Sequence, residues 1–178
     1  MNHYVLDKRR SVSPTLFLHY RRADIAELAR LPIPVLAPMF VPAAEMNEVP
    51  VVEVPRGEAR LYTIYLKRWG PQCHASECSY DEISGIRGSI APCDPRLPFD
   101  VRENDHGRFD TCGRTPMVAP FGGTAWYVAR HGYGDVMFAG AHGSVYVLQG
   151  GSRPVAGPAL FQQWLDRLRP LENVHIAG

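Results

Sequence analysis

A chain of 178 residues, 46% hydrophobic and 21% charged, fits one folded domain able to bury a core without metal or disulfide staples. A formal charge of +1 gives no bulk field that would recruit nucleic acid or an anionic membrane. No apolar run approaches the ~18 residues of a membrane-spanning helix. Met1 to Arg10 is polar and charged and lacks the apolar stretch of a signal peptide, so the expected compartment is the cytoplasm, where thiols stay reduced. Sixteen prolines and sixteen glycines predict irregular, loop-rich structure, mostly in the first two thirds.

In chain order, Tyr4 to Leu6 reads as a short strand. Thr15 to Tyr20 is a second apolar run after the Ser13-Pro14 break. Ala23 to Leu31 has Ile25, Leu28 and Ala29 at helical spacing, with Asp24 and Glu27 in the first turn, and Pro32 stops it. Six prolines from Pro32 to Pro55, both included, exclude a helix and remove ladder donors. That stretch reads as an extended segment over the core with an edge strand near Val51 to Val54. Arg60 to Trp69 is apolar on both alternating faces, which predicts a central strand. Residues 72–120 are the least regular part: Ser79 to Ile86 reads as one helical turn, and Asp94 to Thr115 as a long surface loop.

The C-terminal third has the clearest pattern. Thr124 to Arg130, Asp135 to Ala139 and Ser144 to Gln149 are short strands joined by Gly-containing turns, which predicts an antiparallel meander. Pro158 then opens a helix whose stripe is Leu160, Phe161, Trp164, Leu165 and Leu168, and Pro170 closes it. A helix this short is marginal alone, so it is expected to lie on the sheet. The fold class is therefore α+β: one domain over residues 1–178, with a sheet-plus-helix core at 124–169 and a proline-rich extended N-terminal half.

Cys73, Cys78, Cys93 and Cys112, with His74, lie in the irregular middle. Their separations of four, fourteen and eighteen intervening residues supply one close pair where a structural zinc site has two. Free thiols are the leading reading, with zinc or two disulfides as alternatives, and no cofactor is expected. Arg9-Arg10 and Arg21-Arg22 read as solvated basic dyads.

Two resemblances bear on function. Gly134-Asp135-Val136-Met137-Phe138, then His142-Gly143-Ser144-Val145-Tyr146-Val147, resembles the strand pair of the papain-like NlpC/P60 and CHAP peptidases. That resemblance implies Cys78 as nucleophile at a helix N-terminus and His142 as base. The longer run holds Gly122-Gly123-Thr124, Gly132-Tyr133-Gly134-Asp135-Val136 and Val145-Tyr146-Val147-Leu148. It ends in a helix with Phe161, Trp164, Leu165 and Leu168. It is similar to the C-terminal half of the SUKH superfamily, which implies a non-enzymatic immunity protein. The leading expectation is thus a module that caps a protein partner such as a toxin, with Arg130 and Tyr133 as candidate anchors. A cysteine hydrolase is the alternative, and a viral or mobile-element structural or regulatory protein with a thiol or zinc cluster is a third.

Overall fold

A computed structural model describes residues 15–42, 49–66, 81–96, 107–130, 133–150 and 157–176; the predicted strand Tyr4 to Leu6 lies outside them. The elements in chain order are β1 (Thr15–Phe17), β2 (His19–Tyr20), α1 (Arg22–Leu28), β3 (Leu36–Pro38), β4 (Phe40–Pro42), β5 (Val51–Glu53) and β6 (Arg60–Tyr65). Next are β7 (Asp81–Arg87), β8 (Ser89–Ala91), β9 (Arg108–Asp110), β10 (Thr115–Val118), β11 (Thr124–Arg130), β12 (Tyr133–Ala139) and β13 (Ser144–Gly150). Last come α2 (Pro158–Leu165), β14 (Leu168–Pro170), a 3-10 turn at Leu171–Asn173, and β15 (His175–Ile176). The described structure is mostly antiparallel sheet with two helices, an α+β arrangement. Among the described residues no helix is long and apolar enough to cross a membrane.

The main sheet has seven strands in the order β10-β11-β12-β13-β7-β6-β5, and every neighbouring pair is antiparallel. Strand alternation places one residue in two on each face, and the register turns this into rows. Tyr127, Val136, Leu148, Ile83 and Ile64 align across five strands, as do Ala125, Phe138, Tyr146, Gly85 and Tyr62. These rows are buried and belong to one hydrophobic cluster with Phe161, Trp164, Leu165 and Leu168, apart from Gly85, which has no side chain to contribute. The Phe161 ring lies 5.5 Å from that of Tyr127 and edge-on to Trp164 at 5.1 Å, separations at which aromatic pairs attract.

The N-terminal part reaches the same core through Leu18, Tyr20, Leu28, Ile33, Val35, Leu36 and Ala37. Its prolines cannot donate to a ladder, but their carbonyls still need partners. Tyrosines supply them. The Tyr20 hydroxyl donates to the Pro38 carbonyl at 2.8 Å, and the Tyr146 hydroxyl donates to that of Pro34. The Tyr62 hydroxyl donates to the Leu36 carbonyl at 2.9 Å and accepts from the Leu36 N–H at 3.1 Å. Each such bond is worth about 1 kcal/mol net, and more if one partner is removed from the buried pair.

Three sequence expectations change here. The closing helix stops at Leu165, and Leu168, expected on its apolar stripe, lies instead in β14 paired with Pro38. Within the span Ser79 to Ile86, expected as a helical turn, the described residues from Asp81 on are instead the strand β7, paired on one side with β6 and on the other with β13. The reason is tertiary. Ile83 and Gly85 face the core, and Gly85 is there because the Tyr62 ring fills the place of a side chain. A Cβ at Gly85 would lie 2.1 Å from Tyr62 Cε1. Asp94 to Thr115 is not wholly loop, since it contains β9, which runs parallel to β8.

On the opposite face of the sheet a polar row crosses four strands: Tyr65, Glu82, Gln149 and Asp135 are successive cross-strand partners. Beside it the Thr63 and Ser84 hydroxyls hydrogen-bond at 2.9 Å. Thr63, Ser84, Glu82 and Asp135 are all buried, so each needs a partner to offset lost hydration.

Candidate functional site

The feature that stands out from this scaffold is the β10–β11 hairpin. Thr115 to Ala129 contains no charged residue. The turn closes with the Ala119 N–H donating to the Gly123 carbonyl at 3.2 Å. Phe121, Gly122 and Gly123 stand in succession at φ +62°, +95° and +86°. Glycines adopt that region freely, but for a phenylalanine it costs about 1–2 kcal/mol. The strained Phe121 is 72% exposed, and Val118 beside it is 65% exposed. An aromatic held in a strained backbone and presented to solvent gains nothing from the fold, which is the pattern of a binding anchor.

The tip is held from two sides. β10 is an edge strand, and its outward N–H and C=O groups would invite another strand. Gln162, on α2, takes that place: its Oε1 accepts from the Val118 N–H at 3.3 Å and its Nε2 donates to the Val118 carbonyl at 3.0 Å. Ladder alternation puts Pro116 on the same outward side, where it has no N–H to offer. The edge is thus closed to strand addition, and the exposed groups at the tip are side chains.

At the other end of β10 stands an ion cluster. Asp135, on β12, is buried, its side chain 4% exposed. The Arg114 Nη1 donates to Asp135 Oδ1, and also to the Trp126 carbonyl at 3.3 Å. The Arg130 Nε donates to Asp135 Oδ2 at 2.6 Å. Arg114 is nearly as buried as Asp135, at 9% exposure, while Arg130 is 23% exposed. Guanidinium donors in fixed geometry on a desolvated carboxylate are strong hydrogen bonds. They pin the entry of β10 to the middle of the sheet.

Among the described residues, the structure brings Arg130 together with Tyr133 and Cys93 together with Cys112. Arg130 closes β11 with its guanidinium on Asp135, and Tyr133 pairs with it across the hairpin; the side chain of Tyr133 lies outside the described residues. His142 is exposed at φ +58° in the turn before β13. Cys73, His74 and Cys78 lie outside the described residues. Downstream of Cys78 the chain is, from Asp81 on, a strand and not the helix that a papain-like nucleophile requires. Cys93 and Cys112 are neither free thiols nor metal ligands: they form a disulfide, with Cα atoms 4.6 Å apart. Among the described residues no group of three or more His, Cys, Asp or Glu side chains is gathered for a metal ion. Phe121, Arg114 and Gln162 are not among the sequence-predicted site residues, and Asp135 enters there only as part of a strand motif. The charge-free run around Pro-Phe-Gly-Gly was a usable signal for the first, whereas the pairing of the others depends on long-range contacts.

The buried Glu82 adds a pH dependence. Burial raises its carboxyl above the ordinary 4.5, Arg60 partly offsets this, and Glu53 adds to it. The Arg60 Nη1 is 3.9 Å away and the Arg60 side chain is 40% exposed, too loose and too wet to hold the charge. A raised folded-state pKa means that the stabilising contribution is full below about pH 4.5 and is lost as pH rises through the folded value. Glu82→Gln is expected to flatten that part of the profile. Urea midpoints from about pH 4 to pH 8 check it, and an unchanged slope would show the carboxyl to be solvated.

No family model, curated protein or solved structure matches the chain.

Proposed function

We propose that this chain is a non-enzymatic protein-binding module of the immunity type, which caps a partner protein such as a toxin with the tip of its β10–β11 hairpin. The observation that carries the reading is Phe121: exposed, held at positive φ, and preorganised from both ends of β10 by Gln162 and by the Arg114–Asp135–Arg130 cluster. Preorganisation lowers the entropy cost of binding, and an aromatic with few rotamers suits a hot spot. The partner that fits is a protein surface with an apolar, uncharged socket for one ring, since Thr115 to Ala129 offers no charge to pair. The similarity of the Gly122 to Leu168 run to the C-terminal half of the SUKH superfamily is a second support. Arg130, at the far end of β11, contributes in this reading by holding Asp135 and not as the first contact.

The test separates binding from folding. Phe121→Gly removes the ring and relieves the backbone, so it is expected to leave stability unchanged or raise it by up to about 1 kcal/mol. The same change should weaken binding about 30-fold or more. The binding partner to be tested is the product of the reading frame that neighbours this one, with affinity read by calorimetry. If that protein binds wild type and Phe121→Gly equally, or binds neither, the proposal fails.

A further inference from the structure

We infer that the Cys93–Cys112 disulfide is a redox latch on the β10–β11 hairpin. The bond joins the ends of the shortest paired elements near the site. β8 and β9 have three residues each and pair in parallel, an arrangement too small to persist without bracing. One end is braced by backbone packing: the Ser89 N–H donates to the Gly107 carbonyl at 2.8 Å, and Gly88 and Gly107 approach so closely that a Cβ on either would lie 2.0 Å from a carbonyl oxygen of the facing segment. The disulfide braces the other end, where the Cys93 N–H also donates to Thr111 Oγ1 at 3.1 Å.

From Cys112 the chain makes a turn, with the Arg114 N–H donating to the Thr111 carbonyl at 3.2 Å. Arg114 then enters the cluster on Asp135, and β10 begins at the next residue. Only Gly113 therefore lies between the covalent brace at Cys112 and Arg114, whose guanidinium pins the hairpin. Cys93 is exposed and Cys112 half-buried, so an attacking thiolate reaches Cys93 first. A dithiol reductant would form a mixed disulfide with Cys93 while Cys112 leaves as a thiolate and takes up a proton. Its second thiol then closes the dithiol's own disulfide, releasing Cys93 as a thiol. Two electrons and two protons pass to the protein. Opening the latch leaves residues 107–114 held by the short β8–β9 ladder and the Gly88–Gly107 contact, and loosens Arg114 from Asp135. In a reducing compartment the latch is open, and in an oxidising one it is closed. That latch opening alters binding rests on the reading of the hairpin as a docking tip; that it alters the hairpin does not.

Amide hydrogen exchange on the full chain tests the latch without any partner. Wild type is compared with Cys93→Ser/Cys112→Ser, each with and without a dithiol. In the double variant, and in reduced wild type, exchange in peptides covering 107–118 is expected to quicken about tenfold or more, with 144–150 unchanged. The dithiol should change nothing further in the double variant within those peptides. If the variant does not fold, wild type reduced and then alkylated gives the same readout. Protection at 115–118 that stays within about twofold of the oxidised protein overturns the inference. Loosening at 115–118 together with unaltered affinity for the partner would instead sink the docking reading and leave the latch standing.

Discussion

Asp135→Ala is expected to destabilise the protein by about 3–5 kcal/mol, because it strands a buried guanidinium with no counter-charge. Asp135 takes hydrogen bonds from Arg114 and Arg130, and Arg114 is only 9% exposed. Little water reaches that guanidinium to replace the carboxylate, and the Trp126 carbonyl is a weaker acceptor. Arg114→Ala should cost less, since Asp135 keeps Arg130, which is the more exposed of the two cations. The double variant should cost clearly less than the sum of the two single changes, the mark of a coupled pair. Urea unfolding with equal m-values measures all three. A loss below about 1 kcal/mol for Asp135→Ala would show the cluster to be solvated like an ordinary surface pair. The prediction also bears on function: a variant that survives folding loses the anchor at the start of β10, so the hairpin tip would no longer be preorganised.

Phe161→Ala should cost a similar amount, about 3–5 kcal/mol, by a different mechanism. Phe161 is fully buried, and its ring touches Tyr127 on the sheet and Trp164 one turn further along α2. Truncation leaves a cavity between sheet and helix that these neighbours cannot fill without leaving their rotamers. A helix of eight residues has little stability apart from such contacts, so the loss also frees Gln162, which covers the β10 edge. Exposed Gln163 on the same helix is the control, and Gln163→Ala should stay within about 0.5 kcal/mol. A Phe161→Ala cost near that of the control would mean that α2 does not hold the sheet.

The predicted strands of the C-terminal third show which information is local. Thr124 to Arg130 begins and ends as expected, and the neighbouring strands differ from expectation by two residues or fewer at any end. Alternation bounded by glycine turns needs no distant partner to be read. The edge strand near Val51 to Val54 is β5, legible because prolines flank a short apolar run. Asp81 to Arg87 shows the opposite. Its Asp, Glu and Gly residues have poor strand propensity, and only the strands on both sides, with the Tyr62 ring over Gly85, make it central. The cysteines show it again: spacing alone left free thiols, zinc and disulfides open, and what joins Cys93 to Cys112 is the parallel pairing of β8 with β9 beside them.

By itself the sequence determined the class of fold, the meander and the start of the closing helix, because periodicity and turn chemistry act over a few residues, while the helix ends at Leu165 and Leu168 pairs with Pro38. Tertiary structure alone decided which charges share the Asp135 carboxylate, which side chain closes the β10 edge, and that Phe121 is left in solvent in a left-handed backbone. Those outcomes depend on groups as far apart as Val118 and Gln162, and a pattern along the chain carries no record of what meets across that distance.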